Sequence, residues 1–192
     1  FNTLNMIGSM ADLEDAPTTE KMTQSLAQLF RYNLNTHEQI VPIEMELRIA
    51  ENYMYLQKMR FGSRIQYQVN APEDISRIRI PSFTMQPLVE NAIVHGLSKK
   101  EQGGTVSVTV SEDPTTQVVT LLIEDDGLGI AEERLSALIA RMHNPEENKT
   151  ARIGIGLGNI YRRIRTLYPE HGDLSIDAKE GVGTRITLTI PQ

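Results

Sequence analysis

The sequence has no cysteine, no long apolar run and few basic residues, and each absence narrows the possible functions. Without cysteine, these residues can form neither disulfides nor thiolate metal sites. No apolar stretch approaches the roughly 20 residues that a membrane-spanning helix requires. Lys and Arg number 19 against 25 Asp and Glu, which leaves a net charge of -6 at pH 7. A nucleic-acid-binding role therefore lacks its usual basic surface.

The hydrophobic residues are numerous enough to form a proper core. The 192 residues, 40% of them hydrophobic, suit one large domain or one ordinary domain with a smaller appendage. The N-terminal third has helical periodicity, which predicts helices over residues 1–13, 18–35 and 42–60. The third helix carries two apolar stripes, so it should pack against two partners. We place a domain boundary at Phe61-Gly62-Ser63, which separates residues 1–61 from residues 62–192.

Beyond this boundary, strand patterns alternate with helical ones. Strands are predicted at residues 65–69, 78–80, 106–110, 118–123, 174–178 and 186–190. Helices are predicted at residues 85–97, 131–142 and 160–168. The strand at 118–123 is apolar throughout, as expected of a strand buried on both faces. These segments predict an α+β fold in which one helical layer covers a mixed, largely antiparallel sheet.

An acidic pair and two glycines follow the strand at 118–123, in the order Asp125-Asp126-Gly127-Leu128-Gly129-Ile130. A carboxylate held at the end of a strand can accept a hydrogen bond from an exocyclic amine such as that of adenine. Glycines beside it let the backbone approach a ligand closely. The alternative is an ordinary acidic turn, because Asp-Gly is a common turn dipeptide.

Two further patterns carry polar groups that could face a ligand. The predicted helix at 85–97 presents a polar line that includes Glu90, Asn91 and His95. Gly154, Gly156 and Gly158 precede a predicted helix, where backbone N–H groups can bind phosphates. This glycine cluster is neither a Walker loop nor a Rossmann fingerprint, and taken alone it fits a flexible hinge better than a phosphate site.

Taken together, the motifs resemble those of a known family. Asn91, Asp125-x-Gly127-x-Gly129, Gly154-x-Gly156-x-Gly158 and Gly181-x-Gly183-Thr184 stand in the order of the N, G1, G2 and G3 elements. These elements belong to the ATP-binding domain shared by histidine kinases, gyrase B, Hsp90 and MutL. The chain also resembles, more narrowly, sensor histidine kinases of the LytS and YehU type. The segments that carry this resemblance are Phe1-Asn2-Thr3-Leu4-Asn5, Arg31-Tyr32, the helix from Glu46 to Arg60-Phe61-Gly62, and Gln86-Pro87-Leu88-Val89-Glu90-Asn91-Ala92.

The resemblance implies a Bergerat-type two-layer α/β sandwich that binds Mg-ATP, preceded by helices that dimerise. Asp125 would bind the adenine amine, and Asn91 would hold Mg²⁺. The other residues implied in cofactor binding are His95, Gly127, Gly129, Ile130, Gly154, Gly156, Leu157, Gly158 and Thr184. For Glu90, a role as catalytic base and a role as a solvated helix-face carboxylate both remain open.

Two departures from the family pattern affect the details. Relatives often carry a basic residue at the position of Val94, so the phosphate contact must come from another residue. The candidates are His95, Lys99, Lys100, Arg152 and Arg162. Gyrase-like ATPases carry a catalytic glutamate where this chain has Pro87, so water activation of that kind should be absent.

The function implied is that of the cytoplasmic catalytic core of a membrane-anchored sensor histidine kinase. It would transfer the ATP γ-phosphoryl group to a histidine and then to a response-regulator aspartate. In this subfamily the acceptor histidine would lie three residues upstream of Phe1, so we expect the chain to be an N-terminally truncated fragment. The expected partners are a second copy of the protein and a receiver domain, and not nucleic acid. The alternative is a regulatory switch that binds ATP without phosphotransfer.

Overall fold

The computed structural model describes residues 1–144 and 155–192. Three helices open the chain: α1 (Asn2–Leu13), α2 (Pro17–Asn35) and α3 (Ile43–Phe61). Asp15 adopts a left-handed backbone (φ 53°) in the turn after α1, and α1 packs against α2 through Gly8 and Ala11. None of the described helices combines the length and apolar character that a membrane crossing requires.

Helix α3 buries both predicted stripes. Its apolar residues pack against α2 on one side and on the other against α4 (Met85–Asn91). The apolar face of α2 is only partly covered, because Leu29 is buried while Met22 and Phe30 remain exposed. Packing against two partners explains why α3 needs two stripes.

A short ribbon joins the start of α3 to the segment ahead of α4. Strand β1 (Ile40–Pro42) pairs antiparallel with β3 (Arg79–Pro81), outside the main sheet. The sequence predicts β3 but not β1, since three residues are too few to show strand periodicity. The Ile43 amide also donates to the Ile78 carbonyl at 3.0 Å, which extends this connection.

The main sheet contains five strands in the order β2-β4-β5-β7-β6. Strand β2 runs parallel to β4, and the other neighbours are antiparallel, which confirms the predicted mixed, largely antiparallel sheet. The strands are β2 (Ile65–Asn70), β4 (Gly104–Asp113), β5 (Val118–Asp125), β6 (Asp173–Lys179) and β7 (Gly183–Pro191).

One face of this sheet forms the core with α4 and α6 (Ile155–Leu167), and α5 (Glu132–His143) packs against α6 and β6. In β5 the residues Val119, Leu121 and Ile123 are buried, whereas Thr120 and Leu122 on the other face are half-buried. The prediction that β5 is buried on both faces is therefore wrong. A single helical layer covers only one face, and the apolar residues on the other face remain partly exposed.

Two helices differ from their predicted forms near the candidate site. The predicted helix at 85–97 is α-helical to Asn91 and then becomes a π-helix over Ala92–Leu97, in which the Ser98 amide donates to the Ile93 carbonyl at 2.8 Å. Helix α6 begins at Ile155, so Gly156 and Gly158 lie inside it and not ahead of it. Burial of Leu157 and Ile160, 8% and 2% exposed, outweighs the poor helix propensity of glycine.

Candidate nucleotide-binding site

Asp125 is the last residue of β5, the central strand of the sheet, and is half-buried. Its Oδ1 accepts a hydrogen bond from the Gly127 amide at 2.9 Å, and Thr184 lies opposite it on β7. Burial raises the pKa of Asp125 to about 6; hydrogen bonds from Gly127 and Thr184 act in the opposite direction, and the charge of Asp126 adds to the rise. The local fold therefore orients a carboxylate that can accept a hydrogen bond from a ligand amine.

Backbone segments meet around this carboxylate with no room for side chains. A Cβ built on Gly127 would lie 2.5 Å from the Cα of Gly96, and one built on Gly96 would lie 2.8 Å from the Cγ of Asp125. Gly129 has a left-handed backbone (φ 64°), and a Cβ there would lie 2.6 Å from the carbonyl carbon of Lys179. The glycines therefore permit the close approach of three protein segments, while the predicted approach of Gly127 and Gly129 to a ligand stays a prediction.

Gly96 is a site residue that sequence reasoning missed. It lies in the π-helix, and its carbonyl accepts a hydrogen bond from the Leu128 amide at 3.0 Å. The available signal was a glycine inside an apolar helical pattern, which often marks close backbone packing. π-Helical turns occur frequently at functional sites, and this one brings the helix that carries Asn91 against Asp125.

Asp126, the second acidic residue of the turn, is held from the opposite side. Its Oδ1 accepts from the Thr105 amide at 2.9 Å and lies 3.6 Å from the ammonium group of Lys100. Lys100 also donates to the Asp126 carbonyl. Lys100 was a candidate for phosphate contact, but in this structure it stabilises the acidic turn.

Asn91 is the last residue of α4 and is half-buried. Its Nδ2 atom is buried and has no hydrogen-bond partner among the described residues. A Cβ built on Gly156 of α6 would lie 4.0 Å from this atom, so the two helices meet here. A half-turn of the amide exchanges Nδ2 with Oδ1, which is a suitable ligand for a hard cation. The residues present therefore fit a magnesium–nucleotide ligand at this point.

Within residues 1–144 and 155–192, no group of three His, Asp or Glu side chains lies close enough to hold a metal ion. An Mg²⁺ ion at Asn91 would therefore take most of its ligands from phosphates and water, as is usual for magnesium in nucleotide sites.

The other predicted residues lie around this centre with different degrees of exposure. Glu90 and His95 are exposed. The pKa of Tyr53 on α3 is raised to about 12, chiefly by the burial of its hydroxyl and secondly by the charge of Glu90. Ile130 is half-buried directly after Gly129, and Leu157 is buried in α6. The structure thus places Glu90 near α3 as well as beside Asn91.

Among the remaining candidates for phosphate contact, Lys99 is exposed. Arg162 folds back on its own helix, where its Nε donates to the Gly158 carbonyl at 3.3 Å and its Nη2 donates to Asn159. Gly154 and Arg152 lie outside the described residues.

The fold and this arrangement define the chain as an α/β sandwich of the histidine kinase catalytic type. The chain belongs to the family of histidine kinase-, DNA gyrase B-, and HSP90-like ATPases, whose model matches residues 81–192. A second family model, that of histidine kinases, matches residues 1–65. The resemblance read from the motifs is therefore confirmed.

Known relatives support the same assignment. Sensor histidine kinase BtsS of Escherichia coli K12 is 30% identical over 191 residues, which cover all of this chain and 31% of that protein. Sensor histidine kinase YesM of Bacillus subtilis 168 has the same identity and coverage. The chain thus spans about a third of the length of the curated relatives it matches.

Solved structures show the same fold. A histidine kinase domain from the blue-light activated histidine kinase of Erythrobacter litoralis EL346 superposes with a TM-score of 0.55 at 18% identity, covering 99% of this chain and 82% of that one. Mycobacterial sensor histidine kinase MprB gives a TM-score of 0.54 at 20% identity, covering 81% and 97%. These similarities confirm the predicted fold class.

Proposed function

We propose that this chain is the ATP-binding catalytic core of a two-component sensor histidine kinase. The observation that carries the proposal is the pairing of two polar groups across the π-helical turn. The half-buried Asp125 carboxylate, held by Gly127 and Thr184, stands on one side, and the buried amide of Asn91 stands on the other. Asp125 selects adenine through its exocyclic amine, while Asn91 binds the Mg²⁺ that accompanies the phosphates.

The remaining site residues surround the nucleotide. Gly127, Gly129, Ile130 and Thr184 shape the base pocket. Gly154, Gly156, Leu157 and Gly158 flank the phosphates, and His95 on the exposed side of the π-helix is available to contact them. Bound Mg²⁺ neutralises phosphate charge, and positioning supplies most of the remaining catalysis in phosphoryl transfer. Glu90, exposed beside Asn91, is the candidate base for the acceptor group.

Residues 1–61 form the dimerisation and phosphoacceptor-type region, and residues 62–192 form the catalytic domain. Helices α1 and α2 expose an unusual number of large apolar side chains, which a second copy of the chain would cover. They are Met6, Ile7, Met10, Leu13, Met22, Phe30 and Leu34, with Phe1 directly before α1. A homodimer of the parent protein would thus form through these helices.

In the parent protein, the γ-phosphoryl group passes to a histidine and then to an aspartate of a response-regulator receiver domain. The parent is anchored in a membrane with this core on the cytoplasmic side. The relatives BtsS and YesM, both named sensor histidine kinases, support the histidine kinase activity.

The nucleotide assignment is tested by calorimetric titration of ATP into the chain with magnesium. Asp125→Asn should abolish measurable binding while far-UV circular dichroism stays unchanged, because a neutral amide presents an N–H group to the adenine amine. The matched control is Asp173→Asn, an exposed aspartate at the far end of β6 from Thr184. Equal affinity of the two variants would rule out the role of Asp125.

The phosphotransfer step is tested on the longer parent protein with radioactive ATP. We expect label that is stable to base and labile to acid, as a phosphohistidine is. Nucleotide binding without such label would instead support the regulatory switch that binds ATP without phosphotransfer.

A further inference from the structure

A completely buried carboxylate lies outside the candidate site, on helix α3, which packs against both α2 and α4. Glu46 of α3 has 0% exposure. Its Oε1 accepts from the Phe83 amide at 2.6 Å and from the Tyr32 hydroxyl. Its Oε2 accepts from the Thr84 amide at 2.9 Å and from the Met85 amide at 2.7 Å. Four donors from α2 and from the start of α4 thus converge on one side chain.

Glu46 performs the capping that α4 lacks in its own sequence. The hydroxyl of Thr84, which precedes the helix, donates to the Pro81 carbonyl at 2.7 Å and caps no amide of α4. A carboxylate that receives consecutive backbone amides at the start of a helix makes charge-assisted hydrogen bonds and interacts favourably with the helix dipole. The position of α4 is therefore set by a residue of α3, 39 positions earlier in the chain than Met85.

The same cluster also contacts α6. Phe83 has a left-handed backbone (φ 57°), and its ring lies 5.0 Å from that of Tyr32. Its amide is bound by Glu46, while its carbonyl accepts from Nη2 of Arg163 in α6 at 2.9 Å. A bulky residue in this conformation needs support from its surroundings. Arg163 and Glu46 provide that support from opposite sides of one peptide segment.

Helices α4 and α6 meet again at the candidate site, where Asn91 approaches Gly156. Both helices are thus connected at one end through Phe83 and at the other through the amide proposed to bind Mg²⁺. Burial, followed by the charge of Glu46, raises the pKa of Tyr32, which keeps its hydroxyl a donor to the carboxylate.

We propose that Glu46, together with Tyr32 and Arg163, is a positioning cluster through which α2 and α3 set the placement of Asn91 for the magnesium–nucleotide complex. The inference rests on the proposed function for its ligand. The effect of the Tyr32 hydroxyl on Asn91 does not require a bound nucleotide, so it can be measured in the nucleotide-free chain. The cluster acts through α4 and does not contact the nucleotide.

The test uses Tyr32→Phe, which removes one donor to Glu46 and leaves the three backbone hydrogen bonds in place. Tyr55→Phe, at a half-buried tyrosine of α3 outside the cluster, makes the same chemical change and is the matched control. Two measurements are made at a temperature at which circular dichroism shows both variants folded. They are the side-chain amide signals of Asn91 in nucleotide-free protein, followed by NMR, and the ATP dissociation constant with and without magnesium.

Tyr32→Phe should shift the Asn91 amide signals and reduce the gain in ATP affinity that magnesium provides by about three- to tenfold. Affinity without magnesium should stay within about twofold, since Asp125 is remote from the change. Tyr55→Phe should alter neither quantity. A purely structural role would lower the unfolding temperature of Tyr32→Phe with Asn91 and the magnesium gain unchanged, and that result would overturn the inference.

A charge-removing variant extends the test. Glu46→Gln places an amide N–H group against backbone donors, so it should have a larger effect than Tyr32→Phe in both measurements. Glu44→Gln, an exposed glutamate in the first turn of α3, is its control. If the unmodified chain binds no ATP at all, the proposed function fails. The Asn91 signals of Tyr32→Phe still decide whether the cluster sets the position of Asn91.

Discussion

At the Asp125 end of the candidate site the backbone segments touch, whereas at the Asn91 end a polar atom lies buried without a partner among the described residues. The first end is defined by sheet register, by glycines and by hydrogen bonds from Gly127 and Thr184. The second depends on where two helices, α4 and α6, meet. The Asp125 end is thus preformed by the fold, while the proposed ligand would supply the polar partner that the Asn91 end lacks.

The largest expected effect comes from adding one methyl group at the Asp125 end. In Gly127→Ala the new Cβ would lie 2.5 Å from backbone atoms of Gly96, which cannot move as a flexible side chain does. We expect a loss of about 3 kcal/mol or more in the free energy of unfolding, together with loss of nucleotide binding.

Gly156→Ala is the matched substitution at the Asn91 end, where the nearest atom would be 4.0 Å away. Alanine in a helix should stabilise the chain by about 0.5–1 kcal/mol. Urea denaturation measures the free energy of unfolding of both variants. Equal stabilities would contradict the view that the Asp125 end is the tightly packed one.

An intermediate effect is expected when the amide at the other end is removed. Asn91→Ala deletes a buried polar atom that has no partner among the described residues, so the free energy of unfolding should change by no more than about 1 kcal/mol. The gain in ATP affinity from magnesium should fall about tenfold or more, since losing even an indirect metal contact has that cost.

Isothermal titration with and without magnesium measures this gain. Glu90→Gln, a substitution at the neighbouring residue, tests whether the magnesium effect belongs to Asn91 as a metal ligand or to Glu90 as a base. Glu90→Gln should leave the magnesium gain intact. A large loss of stability in Asn91→Ala would show that the amide has a structural role in the nucleotide-free protein.

The smallest effect is the pH dependence of stability at the Asp125 end. Burial raises the pKa of Asp125 from its ordinary value of 3.8 to about 6, so the folded state favours the protonated acid. Its contribution to stability is therefore greatest below pH 3.8 and is lost as the pH rises through about 6.

Asp125→Asn removes this titration. Relative to the unmodified chain, the variant should gain on the order of 1 kcal/mol of stability between pH 4 and pH 7, a figure reduced because the side chain is partly exposed. Thermal unfolding across this pH range measures the difference, and Asp173→Asn controls for the loss of one surface charge. A stability difference that stays constant with pH would show that burial does not raise the pKa of Asp125.

Local patterns in the sequence predicted much of the fold. Alternation identified β2, β4, β6 and β7, and the acidic turn after β5 was located because Asp-Gly follows an apolar strand. Asn91 was placed on the correct helix by 3.6-residue periodicity. These features depend on neighbours within a few positions of the chain, which is why a sequence without its structure reveals them.

Other features arise from contacts between distant residues. Strand β1 is too short to have a period of its own and exists because it pairs with β3. The π-helical turn and Gly96 depend on the approach of the Asp125 segment, and α6 begins early because Leu157 and Ile160 are buried. Helical periodicity places Glu46 on the apolar side of α3 and Glu44 on the polar side, but no local pattern shows which backbone amides Glu46 binds.

The sequence by itself determined the order of the elements, the acidic glycine turn and the helix that carries Asn91, since each follows from local periodicity and turn chemistry. Only the tertiary structure decided which glycines touch, that Lys100 holds the acidic turn, and that Glu46 is buried at the start of α4. The physical reason is that burial and hydrogen bonding of a charged side chain depend on residues brought together by the whole fold.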